Sequence, residues 1–422
     1  MRPMLRQGLA VVAVALAMTA IGCKSSRRDL ALAPHQPPAT ATPVTPPTPL
    51  VAADNRFGFA LLAKLLASQP RGNVFISPSS IAIALDMALS GAAGETKEAM
   101  MKTLSLEGLT PADVNQANVG LRRGLANPGE SVELDIANSL WLSKAYDFVP
   151  GFLQCGETYY GAHLERVDFT RDDAKRKIND WVNQSTHGKI RDIIEGPPEP
   201  NMAVVIVNAV YFAGRWSHSF QKAETKPGPF TFQDGTTKQI PRMTQDRKFD
   251  YQESPSFQAI RLPYGDERLA MYVFLPAKSS SIAAFCKTLT AENWGKWLRT
   301  FGEKEGTIAL PRFRAGYGVR LNDALKAMGM GVAFNNGGAN FSGICKGGSI
   351  WIDRVVHKAV VEVDEEGTKA SAATMAGMEA KGVPETPFNM VVDRPFFCAI
   401  VDSATNSILF MGAIVSPGAA GG

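Results

Sequence analysis

The apolar positions of this 422-residue chain fall into stretches of two different periods. Phe59, Leu62, Ala63 and Leu66 recur at helical spacing, so a helix is expected where the folded part opens, near Asp54. A second helix is predicted after Asn73-Val74-Phe75-Ile76. Ser77 suits its N-cap and Pro78 its first turn, and the pattern runs through Ala84 and Leu85 to a stop before Gly91. Ala174 to Gly188 sets Ile178, Trp181 and Val182 on one face ahead of a glycine, which predicts a third helix. Met202 to Phe212 reads differently: it is nearly continuous and β-rich, the pattern of a strand buried on both faces. Asn208 interrupts it, and an amide buried there must find partners. Val355 to Val363 predicts another strand. His357 lies among its valines, where a lone histidine reads first as a satisfied core residue.

Beyond Val363 the pattern lapses. Asp364 to Gly382 holds almost nothing large or β-branched. Such a run suits a surface loop, or a helix, since Ala, Met, Glu and Lys are good helix formers. Its order permits a third reading. Laid into a sheet from Thr368 onward, the run alternates faces with period two. Lys369, Ser371 and Ala373 then face solvent, and Thr368, Ala370, Ala372, Thr374 and Ala376 face inward. An inward face of small residues alone lets a strand slide between neighbours already packed. Gly367 stands where the chain must hinge, and glycine permits the dihedrals.

Glu365-Glu366-Gly367-Thr368-Lys369-Ala370-Ser371-Ala372-Ala373-Thr374 resembles the reactive-loop hinge of inhibitory serpins, a family known for inserting that loop into a sheet. The family usually carries an acidic residue where Lys369 stands, a mild departure because that side chain faces water. Phe75-Ile76-Ser77-Pro78-Ser79-Ser80-Ile81 resembles the family segment beneath its main sheet, and Asn208 through Trp216 resembles the strand leading to the tryptophan at that sheet's top. Leu262-Pro263-Tyr264-Gly265, Leu310-Pro311-Arg312-Phe313, Asp393-Arg394-Pro395-Phe396-Phe397 and Ile408-Leu409-Phe410-Met411-Gly412 match other strands of the family, so the likeness spans roughly residues 55–416.

The resemblance implies an α+β serpin fold: three β-sheets with a large central one, about eight to nine helices, and an exposed reactive-centre loop over about 365–387 in a domain of residues 54–417. It implies that Ser77, Ser80, Asn208 and His357 form a hydrogen-bonded cluster holding two central strands together; helix capping by the serines is the plainer alternative. It places Trp216 where insertion begins, with ordinary core packing as the other reading. Counting fourteen residues on from Gly367 gives Lys381, so Lys381-Gly382 is the implied scissile bond. Ala380 and Glu379, one and two residues earlier, are the alternatives. The implied activity is irreversible suicide-substrate inhibition of a trypsin-like serine protease, its covalent target, by a monomer. A non-inhibitory serpin acting as a carrier or chaperone is the alternative.

Composition sharpens this picture. At 45% apolar and 20% charged the chain is ordinary for a globular protein. The net charge of +4 resides in residues 1–50, where Arg2, Arg6, Lys24, Arg27 and Arg28 face only Asp29; the remainder is neutral, no footprint for nucleic acid. Arg122-Arg123 and Lys175-Arg176-Lys177 read as solvated helix faces. The motifs GxSxG, HExxH, the P-loop and GxGxxG are absent, so neither an enzyme nor a cofactor is expected. The five cysteines form no CxxC pair and no metal spacing. Cys286 and Cys398 lie in apolar runs and read as small buried hydrophobes.

Residues 1–22 carry Arg2 and Arg6 before an apolar run that is short for a membrane span, the pattern of a signal peptide. Ala20-Ile21-Gly22-Cys23 resembles a bacterial lipobox, which implies lipidation at Cys23 and a place in the cell envelope, outer membrane or periplasm; ordinary cleavage and secretion is the alternative. Residues 23–53 then form a linker, with seven prolines between 34 and 50, an extended polyproline stalk.

Overall fold

The computed structural model describes residues 48–171, 173–196, 199, 201–347, 350–367 and 386–418. The signal peptide, Cys23 and most of the proline-rich linker lie outside them. The first helix, α1 (Thr48–Ser68), begins ahead of the Asp54 expected from periodicity, because Leu50, Val51 and Ala53 already pack into the core. Among the described residues the other α-helical segments are α2 (Pro78–Leu89), α3 (Gly94–Thr103), α4 (Pro111–Leu125), α5 (Pro150–Cys155), α6 (Asp173–Ser185), α7 (Ile282–Cys286), α8 (Ala291–Leu298) and α9 (Asn322–Leu325). None is long and apolar enough to cross a membrane.

Five strands make the sheet that positions the site: β2 (Val132–Ser143), β3 (His163–Val167), β4 (Val204–Gly214), β10 (Phe313–Arg320) and β11 (Ile352–Val363), in the order β10-β11-β4-β2-β3. All eleven residues of β4 are buried. Period two divides them between two cores. Val204, Ile206, Val210 and Phe212 face the main core, while Val205, Val207, Ala209 and Tyr211 join a second one. Ile178 and Val182 of α6, with Ile190, Ile193 and Ile194 after it, cover that second core. The continuous apolar run noted in the sequence is therefore a strand with a lid on each face.

The remaining nine strands are β1 (Val74–Ile76), β5 (Lys226–Thr231), β6 (Thr237–Ser254), β7 (Phe257–Tyr264), β8 (Leu269–Pro276), β9 (Gly302–Pro311), β12 (Phe388–Val391), β13 (Phe396–Asp402) and β14 (Ser407–Ile414). They form one hydrogen-bonded network, β1-β14-β13-β8-β7-β6-β9-β12, with β5 also on β6. Three sheets were expected from the resemblance. Hydrogen bonding groups the strands in two, since the eighteen-residue β6 pairs β5 along its first part, β9 along its middle and β7 at its end. Cys286 and Cys398 are buried within this half, and neither Cys155, Cys286, Cys345 nor Cys398 is in a disulfide.

Candidate functional site at the seam between two parallel strands

β11 and β4 are parallel neighbours in the interior of the five-stranded sheet, with His357 opposite Asn208. β2 lies antiparallel on the other side of β4, with Asn138 opposite Asn208. Three polar residues thus stand in a row across three strands, on the face that meets the start of α2.

Their hydrogen bonds form one consistent set. Asn208 Nδ2 donates to Ser80 Oγ at 2.5 Å and to Asn138 Oδ1 at 2.5 Å. The Ser77 backbone N–H donates to His357 Nε2 at 3.3 Å. That nitrogen must therefore accept, so the proton lies on Nδ1, which donates to Asn208 Oδ1 at 2.6 Å. Burial alone pushes the imidazole pKa down to about 3, so the ring is neutral at physiological pH, as the tautomer requires. The expected cluster of Ser77, Ser80, Asn208 and His357 is brought together. Ser77 joins through its backbone, at the N-cap position of α2 but without a side-chain cap, and only Ser80 offers its hydroxyl.

Sequence reasoning missed Asn138. Its signal was available, since it is a polar residue inside the apolar run Ile136-Ala137-Asn138-Ser139-Leu140, and the rule applied to Asn208 applies equally to it.

The same seam ends in a second cluster. After β11, Asp364 to Gly367 make a turn in which Gly367 N–H donates to Asp364 O at 3.3 Å. Gly367 has φ +101, and a Cβ built on it would lie 2.0 Å from Gly214 O. Both the dihedral and this close approach to the end of β4 demand glycine. The segment after β4 holds the turn from the other side. Trp216 N–H donates to Glu366 O at 3.1 Å, and Phe220 N–H to Glu365 O at 2.8 Å. The Trp216 indole Nε1 donates to Asp364 O at 2.8 Å, while its ring stacks on Tyr264 at 4.4 Å. Trp216 is therefore packed in the core and also hydrogen-bonded to the turn that follows β11.

The Glu365 side chain is 1% exposed. Arg312 Nε donates to both its oxygens, at 2.7 and 2.8 Å, and Thr225 Oγ1 donates to Oε1. Burial pushes this carboxyl up, but the hydrogen bonds from Arg312 and Thr225 outweigh it and hold the group below its ordinary range. Lys222 pairs with Glu366, and that contact raises the lysine. Glu365, Glu366 and Gly367, read with the loop, are here parts of a buried, anchored turn. Nothing in the sequence alone marked Arg312, Thr225 or Lys222 for this. Thr368 to Thr374, Lys381 and Gly382 lie outside the described residues, as does Cys23.

Comparison with known proteins places this arrangement in a family. The profile "Serpin (serine protease inhibitor)" matches residues 52–417. The chain is a serpin. Human leukocyte elastase inhibitor is 35% identical over 379 residues, covering 87% of this serpin and 99% of the inhibitor. An uncharacterized serpin-like protein of Thermococcus kodakarensis is 37% identical over 377 residues, covering 87% of this serpin and 86% of that protein. Among solved structures, native tengpin, a thermophilic serpin, is similar with a TM-score of 0.79 at 29% identity, over 87% of this serpin and 94% of tengpin. Thyroxine-binding globulin in complex with thyroxine matches equally in shape, TM-score 0.79, at 27% identity, over 87% and 99% of the two chains.

Proposed function

We propose that this serpin is an irreversible suicide-substrate inhibitor of trypsin-like serine proteases, and not an enzyme. The observation that carries the proposal is the direction of the strands at the seam. β4 and β11 run parallel, and β11 leads into the Asp364–Gly367 turn beside the end of β4. A chain folding back from that turn between the two strands runs antiparallel to both. One parallel ladder is then exchanged for two antiparallel ones, which are slightly more stable per residue and add a full strand. The small residues from Thr368 to Ala376 suit the inward face of that strand.

In this reading a protease attacks Lys381 and forms an acyl-enzyme through its carbonyl, releasing the Gly382 amine. A long basic side chain there suits an acidic specificity pocket. Insertion of Glu365 to Met378 spans on the order of 45 Å at about 3.3 Å per residue, and carries the tethered protease across the molecule before it can deacylate. The family relation to leukocyte elastase inhibitor supports protease inhibition at the coarser level. Action as a monomer, export and lipid anchoring at Cys23 are parts of the same proposal, resting on the sequence. The fold similarity to thyroxine-binding globulin favours the alternative, a serpin that carries a ligand and traps nothing.

Incubation with trypsin followed by a denaturing gel decides between them. The inhibitor reading expects a complex stable to denaturation and a released peptide beginning at Gly382. Thr368→Arg, which puts a charge on the inward face at a cost of several kcal/mol, is expected to be cleaved at a near-normal rate without trapping. Lys369→Glu is expected to trap as before. Cleavage of the unaltered serpin with no covalent complex favours the carrier reading.

A further inference from the structure

The lid over the second core stops short of the sheet's edge. Between residues 188–195, which follow α6, and the outer face of β10 and β11 runs a groove of about 650 Å³. That volume is in the range of small-ligand sites. β10 is the edge strand, and its outward positions are Arg314, Gly316, Gly318 and Arg320. The two glycines leave the floor open; a Cβ on Gly316 would meet nothing within 4 Å. The two arginines stand six residues apart, about 20 Å along a strand.

The lining is charged with one dominant sign. Lys189, Arg191, Arg314, Arg320, Arg354 and Lys358 face Asp192 and Glu195. Only two of the six cations are paired with carboxylates, Arg314 with Glu362 and Arg354 with Glu199, while Lys189 Nζ lies over the Tyr211 ring at 4.9 Å. Among the described residues no ion pair engages Lys189, Arg191, Arg320 or Lys358; Lys358 Nζ and an Arg320 nitrogen donate only to backbone carbonyls, of Asp192 and Asp353. Arg354 adds a separate observation. Its side chain is 12% exposed, and its Nε is buried with no hydrogen-bond partner. A buried donor without a partner is costly, and the cost is recovered when an acceptor arrives. Residues 51–422 carry as many acidic as basic side chains, so this concentration of positive charge is local.

We infer that the groove is a binding site for a compact multivalent phosphate anion, such as a triphosphate group. Guanidinium forks recognise phosphate oxygens in pairs, and the ammonium groups of Lys189 and Lys358 supply point charges. The open glycine floor gives such an anion a place to lie along β10. The inference stands apart from the reactive bond and from protease inhibition.

Calorimetric titration of the full chain with inorganic tripolyphosphate, and separately with ATP, at about 0.15 M salt tests it. One site binding both at similar strength is expected, with slowed hydrogen exchange over residues 188–195 and 314–320. Arg191→Gln and Arg320→Gln are each expected to weaken binding about tenfold. Asp192→Asn, which removes an opposing charge from the lining, is expected to strengthen it. Arg123→Gln, exposed on α4 outside the groove, is the control. The inference is overturned if neither anion binds, if only ATP binds, or if Arg123→Gln loses as much affinity as Arg191→Gln. Arg191 is exposed on the covering segment, so its replacement keeps the test valid even if Arg320→Gln fails to fold.

Discussion

Two polar clusters hold the same pair of strands by different physics. Midway along the seam, Asn208, His357, Ser80 and Asn138 are neutral and fully enclosed. At its end, Glu365 is an ionised carboxylate gripped by an arginine whose side chain remains 44% exposed. A neutral buried network gains nothing from bulk charge and loses heavily when one member goes, because each orphaned group has no water to turn to. An ion pair with one partner in solvent is weaker, adjustable, and sensitive to pH and salt. The seam is thus closed firmly in the middle and more loosely at the point where the loop departs. That is the order in which a strand entering from the turn would have to open it.

The largest effect is expected at the centre of the seam. Asn208→Ala removes the hub and leaves His357 Nδ1–H, Asn138 and Ser80 without their shared partner. At roughly 1–3 kcal/mol for each buried group left unpaired, a loss of at least about 3 kcal/mol is expected in urea unfolding. A change under about 1 kcal/mol would mean that the row across three strands is incidental packing. Next in size is Gly367→Ala. Its positive φ and the 2.0 Å approach to Gly214 O force the turn off Trp216; about 1–3 kcal/mol is expected. Indole fluorescence should report the displaced Trp216 ring, and an unchanged spectrum and melting point would show that the turn is not anchored as described.

Acid separates the two clusters further. His357 titrates at about 3 in the folded chain against an ordinary 6.5. As pH falls below 6.5 the unfolded chain takes up the proton first. The stability tied to neutral His357 is therefore complete above 6.5 and declines toward 3, by up to about 1.4 kcal/mol per pH unit. His357→Gln should remove this rising contribution between pH 6.5 and 5, where the buried Asp86 carboxyl, pushed up to about 7 by burial, contributes with the opposite sign. A slope that persists unchanged in the variant assigns it to another group.

Glu365 is expected to give the smallest effect. Its folded pKa lies below the ordinary 4.5, so its contribution is full above 4.5 and lost as pH falls through the folded value. With Arg312 half in solvent, Glu365→Gln should cost about 1 kcal/mol at neutral pH, and Arg312→Gln should remove most of the salt dependence of the turn. Equal salt dependence in both variants and the parent would place the anchoring in the backbone bonds of Trp216 and Phe220 instead.

Much of the architecture was legible because periodicity and local chemistry decide it. The β-rich run of β4, the valines of β11, the Ser-Pro start of α2 and the one-sided pattern of α6 each specify an element without reference to the rest of the chain. The small-residue run directly follows the strand that the valines of β11 predict. Residues 136–140 carried the signal for Asn138, yet only the register of β2 against β4 puts its amide beside Asn208. Arg312, Thr225 and Lys222 had no local signal at all. They sit 53, 140 and 144 residues from the glutamates they hold, and charge pairing over such separations is set by where whole strands end. The tautomer of His357 and the depression of Glu365 belong to the same class. Burial and partners fix them, and those exist only once the two cores have closed on either side of the sheet.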